Sequence, residues 1–252
     1  MPDGDFANGF VLTRRCPLYK SLLLNSPWLY EGVQAWRDGR FHRESLRRGS
    51  FAQHREDLDI MRLLGQAGSV GPYVDVGCNH PFKLSNTYLL YLNGWRGLCV
   101  DPLPRFIPLY KKWRPQDIFA CLCIGEQAGS MPLFEFESDV LTTLDQGLAA
   151  EYLRQGYKLR RQIQVDVGTI DALLETRRVA APLSLLSIDI EGYELPALKS
   201  ISLDKWRPAL VCLEVLTANG RRNHEAIRYL DDHGYRMEAD LGLNLLFSRA
   251  AG

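Results

Sequence analysis

Several short apolar segments of this chain run out into a carboxylate. The first reads Tyr73-Val-Asp75-Val-Gly77-Cys-Asn79-His80-Pro81, the second ends at Asp101, a later one carries Asp189 and then Glu191-Gly192, and the next ends at Glu214. Carboxylates gathered at one rim repel unless they meet donors or cations, so a hydroxyl-rich or positively charged ligand suits such a rim. Gly77 permits a sharp turn and a close approach of ligand to backbone. Asp101, 24 residues beyond Gly77, is placed to accept from both hydroxyls of a ribose, each charge-assisted bond contributing roughly 1.5–3 kcal/mol. The plainer alternative makes Asp75 a buried hydrogen-bonding residue and Gly77 an ordinary turn. A nicotinamide site needs glycines at set positions after the first. Here Cys78 to Phe82 contains none, so a diphosphate cradle is poorly supported.

Asp189, Glu191 and Glu214 are candidates for a general base, which must lie within hydrogen-bond reach of the proton it removes. His80 and His224 are alternatives, His80 beside the cofactor turn and His224 at the start of a helix. Asp189 and Glu214, with Glu191, also offer oxygen-only ligands to magnesium or calcium. Glu194 fits the first turn of a helix, facing its dipole. Thr142, Thr143 and Asp145 fall in a long irregular stretch, 138–160, of the kind that covers substrates. In that reading Tyr152, Tyr157, Arg160 and Arg161 line a saccharide or phosphate-bearing acceptor; a solvated helix is the alternative.

The elements that must position these groups alternate. Strands are predicted at 73–77, 97–100, 117–124, 131–137, 162–167, 183–190, 208–215, 235–240 and 244–248. Helices fall at 86–92, 105–113, 170–176, 193–200 and 223–233. Strands separated by helices imply an α/β, doubly wound, mostly parallel sheet. The near-continuous apolar run 183–190 suits a strand buried on both faces. The last two strands, joined only by Leu241-Gly242-Leu243, read as antiparallel partners. Ligands of such sheets bind beyond the carboxyl ends of the strands, at the switch point.

Residues 1–70 differ, with helical patterning around 26–36 and 54–64, and the Pro27 that follows Ser26 suits a helix start. They read as a helical extension or cap, with 71–252 as the main domain. Arg43, Arg47, Arg48 and Arg55 form a local basic run whose default reading is a solvated face. The 252 residues balance 30 basic against 30 acidic side chains and are 46% hydrophobic. That excludes a disordered tail and a surface built wholly for nucleic acid. Acids near the N-terminus and the short Leu22–Leu24 run favour neither a secretory signal nor a membrane span, so a soluble, cytoplasmic protein is expected. The six cysteines lack metal spacing and read as small buried hydrophobes, with Cys16 apart from the strands.

The segments Tyr73-VDVGCNHP-Phe82, Ser85-NTYLLYLNGWRG-Leu98, Val100-DPLP-Arg105, Leu186-SIDIEGYE-Leu195 and Trp206-RPALVCLEV-Leu216 together resemble the FkbM family of S-adenosylmethionine-dependent methyltransferases, over roughly residues 73–248. The resemblance implies a Rossmann-like class I methyltransferase fold, a seven-stranded sheet with an antiparallel last strand. It implies S-adenosylmethionine as cofactor and O-methylation of a saccharide or natural-product hydroxyl. By position, Asp75, Gly77 and Asn79 would face the amino-acid end of the cofactor and Asp101 its ribose. Cys123 and Ile124 would flank the adenine, and Ser85 and Asn86 would bind the carboxylate through the helix they open. Asn79 departs from the glycine of the wider methyltransferase pattern. The competing readings are a nicotinamide-dependent oxidoreductase and a non-catalytic cofactor-fold binding domain. A small-molecule or glycan acceptor is the expected partner, without nucleic acid or stable membrane insertion, and a homo-oligomer is compatible with the sequence.

Overall fold

A computed structural model describes residues 27–68, 71–215 and 222–249. Residues 1–26, with Cys16 and the Leu22–Leu24 run, lie outside the described residues. The chain divides into two compact units, residues 1–48 and 49–252. In the first, Pro27–Arg48 is one helix, α1, with Arg47 and Arg48 in its last turn. Both oppose the negative end of the helix dipole.

The second unit begins well before the boundary near 70 expected from the sequence. Helix α2, Glu56–Ala67, belongs to it, because Ile60 and Leu64 join the core of the sheet. The strands are β1 (Tyr73–Val76), β2 (Gly97–Val100), β3 (Ile118–Ala120), β4 (Cys123–Ile124), β5 (Gly129–Phe136), β6 (Leu159–Gly168), β7 (Leu185–Ile188), β8 (Leu210–Glu214), β9 (Tyr235–Asp240) and β10 (Asn244–Arg249). Between them run α3 (Tyr88–Leu92), α4 (Ile107–Trp113), α5 (Gln146–Arg154), α6 (Ile170–Thr176), α7 (Glu194–Lys199), α8 (Leu203–Trp206) and α9 (His224–Asp232).

Seven strands form one sheet in the order β3-β2-β1-β7-β8-β10-β9. β1 pairs in parallel with both β2 and β7, while β10 is antiparallel to β8 and β9. The sheet is doubly wound. On one face Val74, Val76, Leu186, Ile188, Val211 and Leu213 pack with α6 to α9. On the other, Tyr73, Cys99, Leu185 and Cys212 pack with α2 to α4. Strands buried on both faces have no polar side to alternate with, hence their continuous apolar runs. The order reverses between β1 and β7, so the switch point lies beyond the ends of those two strands.

The strand expected over 117–124 is two strands. β3 ends at Ala120 in the main sheet, and β4 pairs in parallel with β6 in a separate three-stranded sheet, β4-β6-β5. The chain leaves the main sheet at Cys121-Leu122, so Cys121 is exposed while Cys123 is buried. These two thiols therefore do not share a strand face. Within the long segment 138–160, α5 is capped by Asp145, whose side chain accepts from Leu148 N. Among the described residues no helix is long and apolar enough to cross a membrane.

Candidate functional site

A cavity of about 530 Å³ opens at the switch point, and it contains Asp75, Asp101, Asp189 and Glu214 from the ends of β1, β2, β7 and β8. This volume falls within the usual range for small-molecule sites. Asn79, Ser85, Asn86, Cys123, Ile124 and Glu191 line it too. His224 does not: it is exposed on the first turn of α9. The structure therefore does not bring His224 to the cavity with the other candidate bases.

The turn after β1 sets one wall. Gly77 has φ +81°, and a Cβ placed there would come within 1.7 Å of the Asp189 carbonyl oxygen. The amides of Gly77 and Cys78 both donate to Val100 O, at 2.9 and 3.1 Å. Asn79 takes φ +45°, a left-handed conformation that asparagine tolerates. Its side chain accepts from His80 N at 2.7 Å. The departure from glycine at 79 is thus accommodated by the residue best able to replace it. His80 Nδ1 accepts from the amides of Phe82 and Lys83, at 3.4 and 3.3 Å, and its ring meets Phe82 edge to face. It shapes this loop.

Asp75 is held from behind. The Thr87 hydroxyl donates to its Oδ2, and Arg114 Nη2 donates to that hydroxyl at 3.0 Å. Arg114 is fully buried, pairs with the equally buried Asp117 at 2.6 Å, and also donates to the Tyr73 hydroxyl at 2.8 Å. Burial pushes the Asp75 carboxyl up to about 6, against the pull of Arg114 and Thr87. Asp101 accepts from Asn79 N on one oxygen, at 3.0 Å, and from Leu103 N on the other, at 2.9 Å. Burial outweighs those amides and raises it to about 7. Its two oxygens are therefore fixed in place, with acceptor capacity left over for a diol.

The Ser85 hydroxyl accepts from Thr87 N and Tyr88 N, at 3.3 and 3.1 Å, so it engages two amides at the head of α3. Asn86 is buried, with its amide toward Cys212 Sγ at 3.8 Å. Cys123 and Ile124 line the cavity with Leu103, Phe106, Leu122 and Leu133, an apolar slot of the kind a purine needs.

The opposite wall is acidic. Carboxylate oxygens of Asp189, Glu191 and Glu214 lie within 4.8 Å of one another. Burial, then the neighbouring acids, drives Glu214 well above the usual carboxylate range. Burial and Asp189 raise Glu191 to about 8. Asp189 is likewise raised by burial, with the carboxylate of Glu56 adding to it. Glu194 accepts from Gly192 N at 2.8 Å and stands at the head of α7, as its helical position suggested.

The segment before and through α5 supplies a wall over this cluster. Tyr152 donates to Glu191 Oε2 at 2.5 Å, and the Thr143 hydroxyl donates to Glu191 O at 2.7 Å. Thr142, Thr143 and Leu144 face the cavity; the Asp145 side chain serves as cap. Arg160 and Arg161 do not line the cavity. Together with Arg105 they clamp the buried Glu135, at 2.8, 2.6 and 2.5 Å. Burial would raise Glu135, yet these arginines pull it down to about 2. Sequence reasoning passed over the Arg114–Asp117 pair and Glu56. The only signal for either was a charged side chain at the edge of an apolar segment.

The family model described as the methyltransferase FkbM domain matches residues 75–237. No curated protein matches the chain. Among solved structures, a TehB-like SAM-dependent methyltransferase from Corynebacterium glutamicum is similar at 14% identity and TM-score 0.42, over 89% of this chain and 100% of that one. A 1,6-didemethyltoxoflavin-N1-methyltransferase from Burkholderia thailandensis, bound to S-adenosylhomocysteine, is similar at 12% identity and TM-score 0.39, over 94% of this chain and 91% of that one.

Proposed function

The chain belongs to the FkbM methyltransferase family, and from that premise we propose that it transfers a methyl group from S-adenosylmethionine to a hydroxyl of a saccharide or natural product. One observation carries the reading: a single cavity holds the anchored Asp101 on one side and the Asp189–Glu191–Glu214 cluster on the other. The donor set fits the cofactor. Asp101 would accept from the ribose hydroxyls, the slot around Leu103, Phe106 and Ile124 would take the adenine, and the acidic wall suits a sulfonium. Asn79 and Asp75 would face the amino-acid end.

When bound, the cofactor supplies an electrophilic methyl group and its own leaving group. The protein's work is to align the acceptor, worth roughly 7–11 kcal/mol, and to remove its proton. Asp189, Glu191 and Glu214 stand where that base is needed. A carboxylate with a raised pKa is a stronger base once ionised. Tyr152 fixes one oxygen of Glu191, and the 139–144 wall limits water. Among the described residues its lining holds no arginine and one lysine, Lys83, so a neutral polyhydroxylated acceptor suits it better than an anionic one.

Calorimetric titration with S-adenosylmethionine and with NAD tests the reading. Binding of the first and not the second is expected; the reverse would support the oxidoreductase. Incubation with glycan and polyketide pools and a labelled methyl donor then tests transfer. Asp189→Asn and Glu214→Gln should lose turnover while keeping cofactor affinity. Loss of cofactor affinity alone would remove them from the base role.

A further inference from the structure

We propose that Asp189, Glu191 and Glu214 bind one divalent metal ion of the magnesium, calcium or manganese type. Its part in catalysis would rest on the methyl-transfer reading, but the binding itself does not.

Three carboxylate oxygens lie within 4.8 Å of one another, close enough to share one ion at the distances hard cations adopt. All three ligands are oxygen, which selects such cations over zinc or copper. Among the described residues, no salt bridge reaches any of the three. Glu56 is fully buried and adds a further negative charge felt by Asp189. Four acids with no positive partner among the described residues are costly to fold around unless something neutralises them.

The second observation comes from the neighbouring strand. Asn244 is directly opposite Glu214 in the β8–β10 pair, so both side chains leave the same face of the sheet. Asn244 is 5% exposed. Its Nδ2 donates to Glu56 Oε1 at 3.3 Å, which fixes which end of the amide is oxygen. Its Oδ1 is buried and has no partner, as is Glu214 Oε2, and the Thr142 hydroxyl in the same cavity is likewise unpartnered. Buried acceptors normally find a donor or an ion. Two orphan acceptors beside three converging carboxylates lack a cation, and another acceptor would not serve. A proton shared between Asp189 and Glu214, which stand within hydrogen-bond reach of each other, would quiet that pair and leave Glu191 and the Asn244 oxygen as they are. Tyr152, donating to Glu191 Oε2, behaves as an outer residue that orients a ligand oxygen.

The test is manganese binding to the full-length protein, without cofactor or acceptor, at pH 8, followed by electron paramagnetic resonance. One saturable site, displaced by magnesium or calcium, is expected, with affinity at least tenfold weaker in Glu214→Gln and Glu191→Gln. Thermal unfolding checks the variants. Without metal they should melt at or above the parent temperature, because each removes mutual repulsion. With metal, the rise in melting temperature seen for the parent should be absent. No stoichiometric binding by the parent, or equal binding by both variants, overturns the proposal. Metal binding by a protein that shows no affinity for S-adenosylmethionine would sink the methyl-transfer reading and leave the metal site standing.

Discussion

Gly77 and Asp189 are in contact through backbone: a Cβ on Gly77 would lie 1.7 Å from the Asp189 carbonyl oxygen. The turn proposed to receive the cofactor and the strand end that carries a candidate base therefore share one fixed point. Gly77→Ala must separate them, and it also places alanine at φ +81°, which alone costs roughly 1–2 kcal/mol. The expected result is a folded but destabilised protein in which cofactor affinity and turnover fall together, read by calorimetry and a methyl-transfer assay. Unchanged cofactor affinity would show that the contact is dispensable.

If Asp101 holds the ribose as proposed, it sets a pH dependence for cofactor binding. Burial raises it to about 7 from 3.8, and only its ionised form accepts from both ribose hydroxyls. Affinity should therefore rise with pH up to about 7 and level off above it. The sign for the ligand-free fold is opposite. Between the ordinary value and the raised one the unfolded chain is ionised while the folded one holds its proton, so this group's contribution to stability falls as pH rises through that window. Asp101→Asn should weaken binding and flatten its pH profile. A wild-type affinity constant from pH 5 to 8 would refute the assignment.

Arg114 supports Asp75 from the protein interior, through Thr87. Arg114→Met keeps much of the volume but leaves Asp117 buried without its cation, a loss of about 3–5 kcal/mol. Urea unfolding should show that loss as a lower midpoint. A midpoint within experimental error of the parent would mean that Tyr73 and the Gly97 amide, which also donate to Asp117, satisfy it by themselves.

His224 is exposed on α9 and outside the cavity. His224→Ala should leave kcat and KM within about twofold of the parent, as is usual for surface positions. A tenfold loss of kcat would bring the histidine back to the site.

The acids near the strand ends were legible because β1, β2, β7 and β8 are short apolar runs buried on both faces, in which a carboxylate stands out. The turn at Gly77-Cys78-Asn79 was legible for a related reason, since few residues take positive φ. Residues 117–124 misled because Cys121 and Leu122 are apolar and no glycine or proline marks where the chain leaves one sheet for another. Arg114 and Asp117 stand three apart and look like an exposed pair. Partners distant in sequence bury them, among them Tyr73 of β1, Thr87, and Gly97 of β2. Glu56 was hidden by its place in the first turn of a helix, where an acid needs no special explanation. The link from Tyr152 to Glu191 spans 39 positions, a separation at which local pattern carries no information.

Among the described strands β10 comes last in sequence but lies inside the sheet, seated between β8 and β9. During synthesis, β8 must therefore wait with an open edge until Asn244–Arg249 has left the ribosome. Open edges recruit other strands, and pairings that close late slow folding. The residue that faces Glu214 arrives in that strand, so a nascent chain holds its acidic cluster unfinished until Asn244 has emerged. A ribosome-stalled chain ending before 244 should remain protease-sensitive at β8, and one extended beyond 249 by enough residues to clear the exit tunnel should not.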